Sequence, residues 1–482
     1  MKQISTPENK NLSLSEALIP IIILIGLLAY NIFFVESQEW FGTYTYQIIL
    51  LIGGAVALIV GLFNKTSIKQ MALEVWENLR SVLVPILILL LVGALAGTWK
   101  VSGVIPAMVY YGLEIINPSI FLPLTVIICC LVSLSTGSSW TTSATVGIAL
   151  IGIGTAFGLH PGMVAGAVIS GAYFGDKMSP LSDTTNLAPA MAGTDLYTHI
   201  RYMTITTVPT ILLTLVIFSI LSISNKVTGN GDLNSINSII DTIDADFYIT
   251  PWLFVVPVGV IVLVLFRVKP LLSLSAGVIL AVVFAVFYQE NVLQTISESN
   301  TQSVIRAIFL ETEIPTDNER LERLYGSGGM SSMFWTIYLI GCAMVFGGVM
   351  DGIGALKRIT SSLLKVAKST FGLFASTVAS CIGLNILASD QYLAIVIPGK
   401  MFKNAYEENG LAPENLSRTL EDSGTVTSAL IPWNTCGAYH SGVLGVSVGD
   451  YFAFAFFNWL SPIMSLIIAG FSIKIRQLRK KD

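Results

Sequence analysis

The sequence predicts an all-α polytopic membrane protein. It is expected to hold two inverted-topology repeats, broken or re-entrant helices at the bilayer midplane, and about 10–12 transmembrane segments. Three observations predict this. Of 482 residues, 53% are hydrophobic and only 12% charged, about half the charged share of a typical soluble domain, and the mean hydropathy is +0.74. Apolar stretches of about 18–22 residues recur, each long enough to cross the hydrocarbon core as a helix. Polar clusters interrupt these stretches, in the same order in each half of the chain.

Residues 1–16 are a polar tail, expected in the cytoplasm. Residues 17–35 are apolar, lack a small-residue cleavage site and precede further spans, so they read as the first span rather than a removed signal. A link with Glu36 and Glu39 leads to a span at 44–63. Residues 65–80, with Lys65, Lys69 and Arg80, form an amphipathic connector. A span covers 82–98. A helix over 101–116 carries Glu114 and is expected to break at Pro106, because proline lacks the N–H that a helix interior needs. Residues 121–135 run apolar and dissolve into the hydroxyl-rich 135–145. Residues 146–158 are short and glycine-rich, 161–174 make a small-residue helix, and 202–223 close the first repeat, 17–225. An extracellular acidic linker, 226–250, carries Asp232, Asp241, Asp244 and Asp246.

The second repeat, 251–475, restarts the pattern. Spans at 252–266 and 271–288 precede a connector, 290–323, with seven acids against three arginines. A span at 333–350, an interrupted helix at 353–366 and a span at 371–388 follow. Then come a short segment at 391–402, a mixed polar and apolar segment at 416–434 and a last span at 451–475. A basic tail, 476–482, ends the chain.

Matching landmarks stand at nearly one offset. Gly103-Val104 and Gly352-Ile353 are 249 apart, 158–161 and 410–413 are 252 apart, and both Ser138-Ser139 with Ser389-Asp390 and Asp183-Thr184 with Asn434-Thr435 are 251 apart. One order at one offset argues for internal duplication. Lysine and arginine mark cytoplasmic loops. The basic tail and the 65–80 connector are therefore expected inside, as are Arg267 and Lys269. The acidic 290–323 connector, Glu36 and Glu39 are expected outside. Corresponding loops thus fall on opposite sides, which is the inverted arrangement.

Four polar breaks carry the chemistry. Charged groups at membrane depth are costly and mark ion or substrate paths, and oxygen ligands suit hard cations. The first break holds Ser138 and Ser139, whose hydroxyls either replace an ion's water shell or bond back to helix carbonyls. The second, 175–186, places Asp176, Lys177, Ser179, Pro180, Asp183, Thr184, Thr185 and Asn186 in twelve residues. Its lysine either neutralises one aspartate or competes with the cation for it. The third holds Asn385, Ser389 and Asp390, the last an ion ligand or a helix cap. The fourth holds Glu421, Asp422, Thr425, Thr427, Asn434 and Thr435, with Asn434 at the position of Asp183 in the first copy. Asp183, Asn186, Asp390 and Asn434 are the expected Na⁺ ligands. Asp176, Asp183, Asp390 and His440 are the expected proton-handling groups, since histidine titrates near neutrality. His160 and His199 read as structural.

The five cysteines lie in apolar segments without metal-ligand spacing and read as free and buried. The chain carries no HExxH, GxSxG or P-loop signature, so it is not expected to be an enzyme or an ATP-driven pump. A membrane hydrolase using Asp176 and Asp183, seven residues apart, is the reading from another class; Pro180 between them disfavours it. A net charge of −4 argues against a nucleic-acid partner.

The run GDKMSPLSDTTNLAPAMAGTDLYTHIRYM, 175–203, resembles the NhaC family of sodium/proton antiporters. SDQYLAIVIPGKMF and LEDSGTVTSALIPWNTCGAY in the second half extend the resemblance over the whole chain. It implies inverted repeats, re-entrant hairpins and a transport domain moving against a scaffold. It also implies Na⁺ and H⁺ exchange across the cytoplasmic membrane without a resident cofactor. Some similar members exchange malate for lactate with Na⁺ and H⁺, which is the alternative reading. The expected partners are membrane lipid, small ions, malate or lactate under the alternative, and a second copy of the chain in a homodimer. Both termini are expected in the cytoplasm.

Overall fold

The computed structural model describes residues 12–35, 40–224, 233–316, 321, 325–367 and 369–478. Most of the N-terminal tail, Glu36, Glu39, the start of the acidic linker, Arg323 and the last basic residues lie outside the described residues. Nearly all of the rest is helix. The described strands are one antiparallel pair of two-residue strands, β1 (Thr312–Glu313) and β2 (Gly326–Ser327).

The first half begins with α1 (Leu14–Phe34), opened by a capping box in which Ser13 and Glu16 satisfy each other's backbone N–H. It continues through α2 (Thr45–Phe63), α3 (Ile68–Ser81), α4 (Leu83–Val101), α5 (Val104–Ile115) and α6 (Phe121–Thr136). A short α7 (Ser139–Thr142) passes through a π-helical turn, Ser143–Gly147, into α8 (Ile148–Ala156). Then come α9 (Pro161–Met178), α10 (Asp183–Ala192) and the 29-residue α11 (Leu196–Ser224). The acidic linker is itself a helix, α12 (Leu233–Asp246), rather than an unstructured link. The second half runs α13 (Val255–Leu265), α14 (Pro270–Tyr288), α15 (Glu290–Ile296), α16 (Asn300–Phe309), α17 (Phe334–Gly352), α18 (Ala355–Val366), α19 (Thr370–Leu387) and α20 (Gln391–Glu408). It ends with α21 (Pro413–Leu420), a π turn at Glu421–Thr425, a 3₁₀ turn at Val426–Leu430, α22 (Thr435–Leu444), α23 (Val448–Phe452) and α24 (Phe456–Gly470).

Among the described residues, eight helices are long and apolar enough to cross a membrane, or nine with the bent pair Asn237–Asp246 and Pro251–Leu265. Two shorter apolar helices, Val104–Ile115 and Phe456–Gly470, stand beside them. α11 shows why such a helix suits lipid. Leu212, Val216 and Ile220 stand exposed along one side, while Thr206, Thr210 and Thr214 are buried along another. Each buried threonine donates to a carbonyl three or four residues back, so its hydroxyl is satisfied inside the helix.

The restart of the pattern is visible in the caps. Ser138 and Asp390 cap α7 and α20, and Ser182 and Asn434 cap α10 and α22; each pair is 252 residues apart. Left-handed residues recur at matched places too: Gly103 with Gly354, Gly137 with Ser389, Gly158 with Gly410 and Gly193 with Gly445. Asn434 therefore corresponds to Ser182 and not, as the 251 spacing suggests, to Asp183.

Pro106 breaks nothing. The chain turns at Gly103, and Pro106 sits in the first turn of α5, where its missing N–H would have no intrahelical partner. α20 runs six residues past the expected end at 402, and the last span splits into α23 and α24.

The tightest packing that bears on the site is α6 against α9. A Cβ on Gly175 would lie 2.4 Å from the Leu134 backbone nitrogen, so only glycine allows this approach. Ser133 Oγ donates to the Ala172 carbonyl at 2.5 Å across the same seam. This contact holds the end of α9 against the end of α6, where the first two breaks meet.

Candidate functional site

The first break follows Gly137, whose φ of +68° turns the chain out of α6. Ser138 then caps α7, accepting from Thr141 N–H at 3.1 Å. Capping leaves Ser139 free to point at α9. Its backbone N–H and hydroxyl both donate to Asp176 Oδ2, at 3.2 and 2.7 Å. Asp176 is 8% exposed.

Beyond Asp176 the helix ends, and Thr185 Oγ1 donates to the carbonyls of Asp176 and Lys177 at 3.0 Å each. These are the orphan acceptors of a helix C-terminus. Ser179 accepts from Leu181 N–H, and Ser182 caps α10. Asn186 donates to the carbonyls of Pro180 and Ser182, at 3.0 and 2.7 Å.

The other two breaks form a second lattice. Ser389, at φ +57°, accepts at its carbonyl from Thr435 N–H at 2.9 Å, while its buried hydroxyl has no partner. Asp390 accepts from Leu393 N–H at 3.0 Å as the cap of α20. Asn434 caps α22 through Cys436 N–H at 3.0 Å and donates to Asn385 O and Oδ1 at 3.1 Å each. Asn385 donates in turn to Gly424 O at 2.7 Å and Thr427 Oγ1 at 3.0 Å.

The two lattices meet in the middle. Lys177 and Asp422, both fully buried, form an ion pair between the halves. Lys177 also donates to Ser461 Oγ at 3.0 Å, and Asp422 accepts from Thr206, Ser461 and Ser465. Burying two charges costs several kcal/mol per ion and is offset only where geometry and further hydrogen bonds are good; here three hydroxyls supply them. Glu421 Oε1 accepts from Thr184 Oγ1 at 3.0 Å. His440 Nδ1 lies 2.9 Å from Ser143 Oγ, and Trp140 stacks on Tyr439 at 3.8 Å between ring centres.

Three expectations change. Asp183 is exposed, not buried, because α10 turns Thr184, Thr185, Ala188 and Ala192 inward and leaves Asp183 and Asn186 on the outer side. It sits within Coulombic reach of Asp176 and Tyr392, at the edge of the centre rather than in it. Asp390 is a helix cap in this structure, and its carboxylate serves backbone N–H. Lys177 neutralises neither Asp176 nor Asp183 but Asp422, which no local spacing shows. Asp176 and Asp183 also stand on different helices, unlike a catalytic dyad. The five cysteines are free and buried. Glu421 was read only as one member of the fourth break; its signal was an acid next to Asp422 inside an apolar run.

Interrupted helices that gather acids, a lysine, amides and hydroxyls inside a multi-pass membrane protein are the construction of a secondary transporter. Residues 171–473 match the model of the Na⁺/H⁺ antiporter family. The chain is 38% identical to the Na⁺/H⁺ antiporter NhaC of Alkalihalophilus pseudofirmus, over 87% of this chain and 89% of that one. It is 37% identical to the Na⁺/H⁺ antiporter NhaC of Bacillus subtilis, over 83% and 86%. It is 34% identical to the malate-2H⁺/Na⁺-lactate antiporter of Bacillus subtilis, over 93% and 94%. The chain belongs to the Na⁺/H⁺ antiporter family, of the NhaC type.

Proposed function

We propose that this protein exchanges Na⁺ for H⁺ across the cytoplasmic membrane. In this reading the repeats 17–225 and 251–475 lie in opposite orientation and both termini are cytoplasmic. The observation that carries the reading is the buried centre. Asp176, held by two donors from Ser139, lies beside a Lys177–Asp422 pair in a site assembled wholly from broken helices. A carboxylate that either Na⁺ or H⁺ neutralises couples the two ions by competition, and a gradient of one then drives the other. Asp183 and Asn186, on the outer side of α10, sit where an arriving cation is first attracted.

Organic-anion exchange is the second reading, and one observation favours it. The guanidinium of Arg418 is fully buried, stacked 4.6 Å over the Tyr202 ring, and its three nitrogens have no hydrogen-bond partner. A carboxylate is the natural partner for such a group.

Purified protein in liposomes with an internal pH dye separates the two. The Na⁺/H⁺ reading expects an imposed Na⁺ gradient to move internal pH. It expects Asp176→Asn to slow that movement at least about tenfold, the equivalent of about 1.4 kcal/mol. No Na⁺-driven pH change in the wild type refutes it, and labelled-malate or lactate counterflow establishes the second reading.

A further inference from the structure

We propose that Glu421 is the carboxylate at which Na⁺ and H⁺ exchange; this rests on the Na⁺/H⁺ reading above. The acids of the centre differ in what neutralises them. Asp422 has Lys177 and three hydroxyls. Asp176 has both donors of Ser139 and some exposure, Asp390 caps a helix, and Asp183 faces outward. Glu421 is fully buried, and one of its oxygens accepts from Thr184 while the other has no partner. A buried carboxylate without a cation is strongly disfavoured. Glu421 therefore holds a cation of its own, and a proton on Oε2 needs no cavity.

The neighbours bear this out. Asp176 and Lys177 reach Glu421 from α9, and Lys177 is already paired. Asp422 is next in the chain. Arg418, one turn earlier on α21, forms no ion pair with it. From α19 the Cys381 thiol faces it. α20 brings Tyr406 and the capping Asp390, α10 brings Asp183, and α24 brings no titratable group. The hydroxyl of Thr425, one turn on, is buried and unpaired as well.

Position supplies the route. Thr184 and Asp183 are adjacent in the first turn of α10. One bonds Glu421 and the other is exposed, so a single helical turn joins water to the buried acid. When Na⁺ enters, the Oε2–H bond breaks, the proton leaves to water and Na⁺ takes the oxygen. On the other side of the membrane the exchange reverses.

The test uses full-length wild type, Glu421→Gln and Glu421→Asp in liposomes. Glu421→Gln is expected to slow Na⁺-driven pH change at least tenfold, and Glu421→Asp to retain exchange with a displaced rate–pH profile. A Glu421→Gln variant that keeps more than half the wild-type rate overturns the proposal. If the glutamine variant moves no ion at all, infrared spectra of the purified proteins decide. A carboxylic-acid C=O band lost on adding Na⁺ to wild type and missing from Glu421→Gln supports the proposal; the same band in the variant overturns it. A wild type without Na⁺-driven pH change defeats the exchange reading itself, whereas a working wild type beside a working Glu421→Gln defeats Glu421 alone.

Discussion

Replacing Lys177 by methionine tests the junction between the two halves. The substitution leaves Asp422 with three hydroxyl donors and no cation, at a site with no exposed surface. Removing one partner of a buried ion pair costs about 3–5 kcal/mol, whereas replacing both with apolar groups is often neutral. At about 2.1 cal/mol/K per residue, unfolding 482 residues carries an entropy of about 1 kcal/mol/K. The apparent Tm in detergent should therefore fall by roughly 3–5 °C in Lys177→Met, and by a similar amount in Asp422→Leu. The double variant should recover more than half of either loss. Scanning fluorimetry on all four proteins gives the coupling energy, expected at about 2 kcal/mol or more. A double variant whose Tm loss equals the sum of the single losses would refute the reasoning, since the charges would then be acting independently.

Two further substitutions probe the frame. Asn434→Ala removes the cap of α22 and leaves two Asn385 oxygens without their donor, costing about 2–3 kcal/mol; thermal melting should show a drop of roughly 2–3 °C. Asn434→Asp should restore only the capping part, and full recovery would argue against the amide pair. Gly175→Ala forces a Cβ to within 2.4 Å of backbone in α6 and should lower both Tm and exchange rate, the overpacking costing about 1–3 kcal/mol. Gly341→Ala, where a Cβ meets nothing within 4 Å, is the matched control and should change neither.

What could be read in advance, and what could not, follows from the range of the interactions. The four breaks were legible because polar residues inside apolar runs are local anomalies. The duplication was legible because landmarks keep one offset, although a one-residue ambiguity paired Asn434 with Asp183 instead of Ser182. Helix caps resolve that ambiguity, and caps depend on backbone angles that spacing does not carry. The partner of Lys177 was out of reach because Asp422 lies 245 residues away and only packing brings them together. The outward turn of Asp183 depends on which face of α10 packs inward. With Asp183 and Thr184 adjacent and both polar, the residues alone did not rank them. Pro106 was misread for a related reason: its effect depends on whether it stands within a helix or at its start, and Gly103 sets the start.

The π turn at Glu421–Thr425 has a consequence for how this chain tolerates deletions. A π turn holds one residue more than the α-helical turn it replaces, and each α-helical residue rotates the chain by about 100°. Deleting a single residue from Ser423–Thr425 would let the segment relax to regular winding and swing what lies on one side of it by about that angle relative to the other. The side chain that now meets Lys177 would then be aimed elsewhere, though every acid remained in the protein. Length at this spot is thus as much a part of the centre's chemistry as the identity of its residues.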